Sequence, residues 1–244
     1  MCAAPVSGFI FDTDALIQIF MSKTHEVFRI LATDFGIKSY LTSEVEVEIR
    51  SNRRRGGLVK PALDKSINTK VLKVLTARDL EVLCEDDERG PTLGDIRGLA
   101  NDLSTFVQCG EAHTFSAGIL LGLPVVSNDR NAIAALEANN KALPTPILRS
   151  FDLFVFLLME GYITASEAEQ VRKVLLQNAE WIPKCFKNAS FADGLAQFDG
   201  RLRTSLATTT GGERWSSTLF LTRGGSTNTK NSPAPEADRT DSKS

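Results

Sequence analysis

The chain has 244 residues, 42% of them apolar and 24% charged, an ordinary balance for one medium α/β domain with appendages and one that argues against wholesale disorder, collagen-like repeats and coiled-coil fibres. Its 28 basic and 30 acidic residues leave a net charge of -2, so no global field draws in nucleic acid or anionic lipid and any such attraction has to be local. The longest apolar stretch, Ala117 to Val126, contains Gly118, Gly122 and Pro124 and falls far short of the roughly 20 residues that cross a bilayer; with no basic leader before Asp12, a cytoplasmic protein without a membrane partner is expected.

Gly8-Phe-Ile-Phe11 is a continuous apolar run that ends at Asp12, and Leu16, Ile19, Phe20, Val27, Ile30 and Leu31 then recur at helical spacing, which predicts strand, acidic turn and helix. Ile37 to Leu41 predicts a second strand. After Thr42-Ser43, the residues Glu44, Glu46 and Glu48 alternate with Val45, Val47 and Ile49; a hydroxyl before acids signals a helix start, while the alternation suits a strand equally. Arg50 to Lys60, with Arg53, Arg54, Arg55, Gly56 and Gly57, reads as an exposed basic loop. Val71 to Leu75 reads as a helix end and Leu80 to Cys84 as a strand, followed by an acidic loop from Glu85 to Glu88 that closes at Gly90-Pro91.

Leu93 to Cys109 predicts one helix. Glu111, after Gly110, opens another through Ala112, Phe115, Ile119 and Leu120, and Pro124-Val-Val126 is a brief strand that runs into Ser127-Asn-Asp129. Alternating strands and helices imply an α/β fold: three layers, α/β/α, around a mainly parallel central sheet. Phe151 to Met159 and Ser166 to Gln177, separated by Gly161, predict a C-terminal helical extension over 149–187. Falling apolar content beyond Ser190 and a tail rich in small and polar residues predict that 188–244 is largely disordered.

In an open parallel sheet, functional groups gather beyond the carboxyl ends of the strands. Asp12, Glu48, Glu111 and Asp129 come from four distant segments that such a sheet brings to one edge, with Glu44 or Glu46 as alternatives to Glu48. Crowded carboxylates raise one another's pKa unless a cation neutralises them, and all-oxygen donors select a hard ion, Mg²⁺ or Mn²⁺. Such ions assist phosphodiester hydrolysis. Arg50, Arg53, Arg54, Arg55 and Lys60 are candidates to hold the phosphates of such a substrate beside that edge, the alternative being a solvated loop. Four scattered cysteines and two isolated histidines lack metal-ligand spacing, and no P-loop, nucleophile elbow or dinucleotide fingerprint is present.

Phe9-Ile-Phe-Asp-Thr-Asp-Ala-Leu16, Val45-x-x-Glu48-Ile49, Gly110-Glu-Ala112 and Val125-Val-Ser-Asn-Asp-Arg130 together resemble the PIN domain, the metal-dependent ribonuclease fold of many toxin-like prokaryotic proteins. The resemblance spans residues 8–148. It implies an endoribonuclease with metal-ligating or metal-supporting acids at Asp12, Glu48, Glu111 and Asp129, and supporting hydroxyls at Thr13 and Ser127. Asp14 stands where the family often has an amide, and Glu111 where many members have Asp. The resemblance also raises the prospect of an antitoxin-like inhibitor protein and of a homodimer. Two rival readings remain at this point. Strand-Asp12-Thr-Asp14 also resembles the nucleophile motif of haloacid dehalogenase-like phosphatases, with Asp14 as acid/base; and a non-catalytic scaffold would bind RNA or protein through the basic loop and tail.

Overall fold

The computed structural model describes residues 8–85, 91–138, 147–198, 200, 202–204 and 219–221. Four strands, β1 (Gly8–Phe11), β2 (Lys38–Thr42), β3 (Lys73–Leu75) and β4 (Val125–Val126), form one sheet in the order β3-β2-β1-β4, and every pairing is parallel. Leu148 extends the β4 edge through a single parallel bridge to Val126. Helices α1 (Thr13–Met21) and α2 (Val27–Asp34) connect β1 to β2, and α3 (Ser43–Ser51) and α4 (Gly56–Asn68) connect β2 to β3. Helices α5 (Ala77–Glu85), α6 (Leu93–Leu103) and α7 (Cys109–Leu120) lead from β3 to β4, and α8 (Arg130–Ala138) follows it.

Side chains alternate across the sheet as a strand's two-residue period requires. Phe9, Phe11 and Leu41 enter one core with residues of α1 to α4; Ile10, Tyr40, Leu75 and Val125 enter a second with residues of α6, α7 and α8. Helices thus cover both faces of a parallel sheet, consistent with a three-layer α/β/α arrangement. Such two-sided burial explains why β1 is a continuous apolar run. The close approach of α7 to the sheet needs Gly118, where a Cβ would lie 2.3 Å from a Val125 methyl.

The extension consists of α9 (Ser150–Met159), α10 (Ala165–Gln177), α11 (Lys184–Lys187) and α12 (Phe191–Leu195). Phe151, Phe186 and Phe191 are buried in the first core, with Phe186 and Phe191 ring centroids 4.7 Å apart. The packed part therefore runs past Lys187, because Phe191 needs cover, and α12 lies inside the segment expected to be disordered. Strands β5 (Leu202–Thr204) and β6 (Leu219–Leu221) pair in parallel apart from the main sheet. The rest of that tail, and Asp86 to Glu88 of the acidic loop, lie outside the described residues.

Local expectations change at five places. The helical run after Asp12 splits at Lys23, whose φ of 59° ends α1. The glutamate segment is helix α3, capped by the Thr42 hydroxyl, which accepts the Val45 N–H at 3.3 Å. Val71 to Leu75 contains strand β3, and Leu80 to Cys84 lies within helix α5: the Thr76 and Asp79 side chains cap each other's backbone N–H groups at 3.0 and 3.2 Å, a start signal that outweighs strand propensity. The expected long helix ends at Leu103 and restarts at Cys109. Finally, the basic loop shrinks to Asn52–Arg55, where Asn52 Oδ1 accepts the N–H groups of Arg54 and Arg55 at 3.1 and 2.9 Å before α4 begins at Gly56.

Candidate active site

Because β1, β2 and β4 run parallel, the residues that follow them share one edge. Asp12 leaves β1 with an extended backbone and caps α1. Its N–H donates to the Val126 carbonyl at 3.0 Å, tying the ends of β1 and β4 together. Its Oδ1 accepts the Thr13 N–H at 2.7 Å and its Oδ2 accepts the Ser127 hydroxyl at 2.9 Å. The side chain is almost wholly buried, and that burial pushes its pKa up to about 7. The two hydrogen bonds oppose the rise, whereas the charges of Asp14 and Glu48 add to it.

Glu48 stands on the inward side of α3, where its Oε2 accepts the Thr13 hydroxyl at 2.8 Å. Gly110 leaves room for it: a Cβ there would lie 2.4 Å from that oxygen. Glu111 is the third residue of α7, and its Oε2 accepts the Gln108 N–H at 3.0 Å, so it closes the start of its own helix. Burial first, then the Asp12 charge and a hydrogen bond to Asp129, raise Glu111 to about 8, against the Gln108 contact. Asp129 caps α8 by accepting the N–H groups of Asn131 and Ala132 at 2.6 and 2.9 Å. Its own N–H donates to Ser127 Oγ at 3.2 Å.

Asp14 is also raised, chiefly by burial and further by Asp129, while the Arg55 guanidinium, 3.8 Å away, opposes the rise. The edge thus brings together Asp12, Glu48, Glu111 and Asp129 with Thr13, Ser127 and Asp14. The other two glutamates of α3 take other partners. Glu46 accepts from Arg50 Nε at 2.8 Å, and Glu44 lies 3.6 Å from His113 Nδ1.

The basic residues are less available than the expected loop implied. Arg50 also reaches Asp64, at 2.7 Å, and Arg55 Nε lies 2.8 Å from the buried Glu180. Arg53 and Arg54 are exposed, and Lys60 is half-buried on α4. A groove of about 500 Å³, lined by Ser43, Glu44, Val47, Glu48, Gln108 and Gly110 among others, opens beside Glu48.

Several participants carry no local signal in the sequence. Gln18 is buried in α1 with its Nε2 donating to the Trp181 carbonyl at 2.8 Å and its Oε1 accepting the Ser150 hydroxyl at 2.6 Å. Ser150 N–H in turn donates to Asn128 Oδ1 at 3.1 Å. Gln18 and Asn128 thereby fix the helical extension against the acidic edge; the only sequence hint is a glutamine inside the apolar Ala15-Leu-Ile-Gln-Ile-Phe20.

In donor type and charge the cluster fits a hard divalent cation: the donors are oxygens, and Asp12 and Glu111 are held from ionising by burial and by neighbouring carboxylates. Their present hydrogen bonds nevertheless engage the carboxylates with helix starts and hydroxyls, and among the described residues no three His, Cys, Asp or Glu are grouped so as to hold one ion. The fit is therefore one of charge and chemistry, without an assembled coordination shell. Among the described residues no helix is long and apolar enough to cross a membrane. Comparison with protein-family models, with curated proteins and with solved structures finds no match to this chain.

Proposed function

We propose that the chain is a PIN-type endoribonuclease that hydrolyses RNA phosphodiester bonds with Mg²⁺ or Mn²⁺. The observation that carries the reading is the meeting of Asp12, Glu48, Glu111 and Asp129 at the carboxyl edge of a parallel sheet, with Asp12 and Glu111 both raised towards neutrality. Structural carboxylates paired with cations are usually pushed the other way, as Asp79 is by Lys73. Buried acids such as Asp12 and Glu111, whose charge is disfavoured chiefly by burial and further by neighbouring carboxylates, suit a cation from outside.

When bound, the ion supplies positive charge for the attacking water and the departing oxygen. The chain's own residues prepare the place for it. Ser127 and the Thr13 N–H orient Asp12, and the Thr13 hydroxyl orients Glu48. The phosphatase reading asks Asp12 for an accessible nucleophilic oxygen, yet both its oxygens are hydrogen-bonded and the residue is 1% exposed.

The test is incubation of the purified chain with labelled single-stranded RNA, with Mn²⁺ or with chelator, beside Asp12→Asn. Cutting that needs Mn²⁺ and falls by roughly 10²-fold or more in the variant, the scale of losing an essential charged group from an active site, is expected. Cutting indifferent to both would overturn the proposal, and binding without any cutting would favour the non-catalytic scaffold.

A further inference from the structure

Phosphate has to approach an edge crowded with carboxylates, and two arginines of the 50s segment, Arg50 and Arg55, are engaged by Glu46, Asp64, Glu180 and Asp14. A second cavity, of about 650 Å³, lies on the extension and is lined by Arg149, Pro183, Lys184, Asn188, Gln197 and Phe198 among others. The fold sets it beside the acidic edge: Leu148 bridges Val126, the Ser127 N–H donates to the Leu148 carbonyl at 2.9 Å, and Arg149 follows directly. Trp181, which lies against Arg149 outside that lining, is anchored by its carbonyl, which accepts from Gln18 of α1.

Charge, the Phe198 ring and polar groups line this cavity. The Arg149 guanidinium lies over the Trp181 ring, 5.0 Å from its centroid. Lys184 is exposed on α11, and the Asn188 and Gln197 amides can both donate and accept. Cations beside an aromatic ring are the elements with which proteins hold a single strand, the cations on phosphates and the flat surface under a base.

We infer that the cavity between α9 and α11, built by Arg149, Lys184 and Phe198, holds single-stranded RNA and directs it over the acidic edge. The extension then has a role in substrate binding as well as in closing the core. The inference rests on the ribonuclease reading for its choice of ligand, but it is tested by binding alone.

The chain has two tryptophans, Trp181 and Trp215, so Trp215→Phe in the full chain leaves Trp181 as the single indole reporter. A fluorescein-labelled oligouridylate is titrated in chelator at several salt concentrations, with anisotropy and Trp181 emission read in parallel. Saturable binding that changes Trp181 emission is expected. Lys184→Gln and Arg149→Gln should each lower the slope of log affinity against log salt by roughly 0.7, the value for one single-strand phosphate contact. Phe198→Ala should weaken binding by roughly tenfold or more, and Lys38→Glu, at the opposite end of the sheet, should leave it unchanged. Lys184 is exposed, so its variant remains informative if Arg149→Gln melts early by circular dichroism.

Absence of binding, binding with Trp181 emission unmoved, or an unchanged slope for Lys184→Gln would overturn the inference. Asp12-dependent cleavage with unaltered binding by these variants would overturn it while leaving the ribonuclease reading intact. Binding through these residues without any cleavage would support the inference and remove the ribonuclease reading.

Discussion

The metal-free protein should become less stable as pH rises, and Asp12→Asn should remove this residue's share of the loss. Asp12 has an ordinary pKa of 3.8 and is pushed up to about 7 in the fold. The folded state therefore keeps a proton that the unfolded chain releases. The stabilisation is fully present below the unfolded value near 3.8, declines as pH rises, and is lost as pH passes the folded value near 7. Each unit of difference corresponds to about 1.36 kcal/mol, so the penalty at pH 8 approaches roughly 4 kcal/mol.

A chain of this size gains about 2–4 °C in Tm per kcal/mol. In chelator at pH 8, Asp12→Asn should accordingly melt up to about 8–16 °C above the unmodified protein. Asparagine also caps a helix well and keeps a hydrogen bond to Ser127. At pH 5 the gap should shrink to less than half. Adding Mn²⁺ at pH 8 should raise the Tm of the unmodified protein and leave that of Asp12→Asn unmoved. Melting curves followed by circular dichroism provide the assay. A variant that melts lower at pH 8, or a gap indifferent to pH, would refute the reasoning, because it would mean that the Asp12 charge is welcomed by the fold without a cation.

Gly110→Ala would place a methyl group 2.4 Å from Glu48 Oε2 and push that side chain off Thr13; RNA cleavage should fall by roughly tenfold or more with Tm little changed, and full activity would show that the Glu48 position is immaterial. Glu48→Gln should lower cleavage by roughly 10–100-fold, whereas Glu46→Gln should leave the rate near that of the unmodified chain, since it breaks only the partly exposed pair with Arg50; equal losses in a gel-based rate comparison would contradict the orientation of α3. Arg55→Ala leaves Glu180 buried without its partner at 2.8 Å and should cost about 3 kcal/mol in urea unfolding, the lower end for a broken buried pair because Arg55 is partly exposed; adding Glu180→Gln should recover most of that loss, and additive losses would argue against the pair.

Sequence reading succeeded where a residue's role depends on its near neighbours. Gly8 to Phe11 is apolar on both faces, and only a strand between two helical layers asks for that. Asp12 announces itself as the acid that ends such a run, and Asp129 does the same after Val125-Val126. Reading failed where the competing signals were local and balanced. Leu80 to Cys84 has the residues of a strand, but the Thr76–Asp79 cap starts a helix ahead of it. The glutamates of α3 alternate in a way that suits either element, and the Thr42 cap decides for helix, which sends Glu48 inward and Glu46 towards Arg50.

What the sequence by itself determined is the alternation of strands and helices, the parallel sheet, and the acids that follow its strands, because these rest on periodicity and on turns a few residues long. Tertiary structure alone decided which acids feel one another, that Arg50 and Arg55 are spent on carboxylates, and that Gln18 and Asn128 carry the extension to the acidic edge. The physical reason is range. Capping and amphipathicity act between neighbours along the chain, whereas burial and the repulsion that raises Asp12 and Glu111 arise only once segments as distant as β1, α3, α7 and the turn after β4 are packed together.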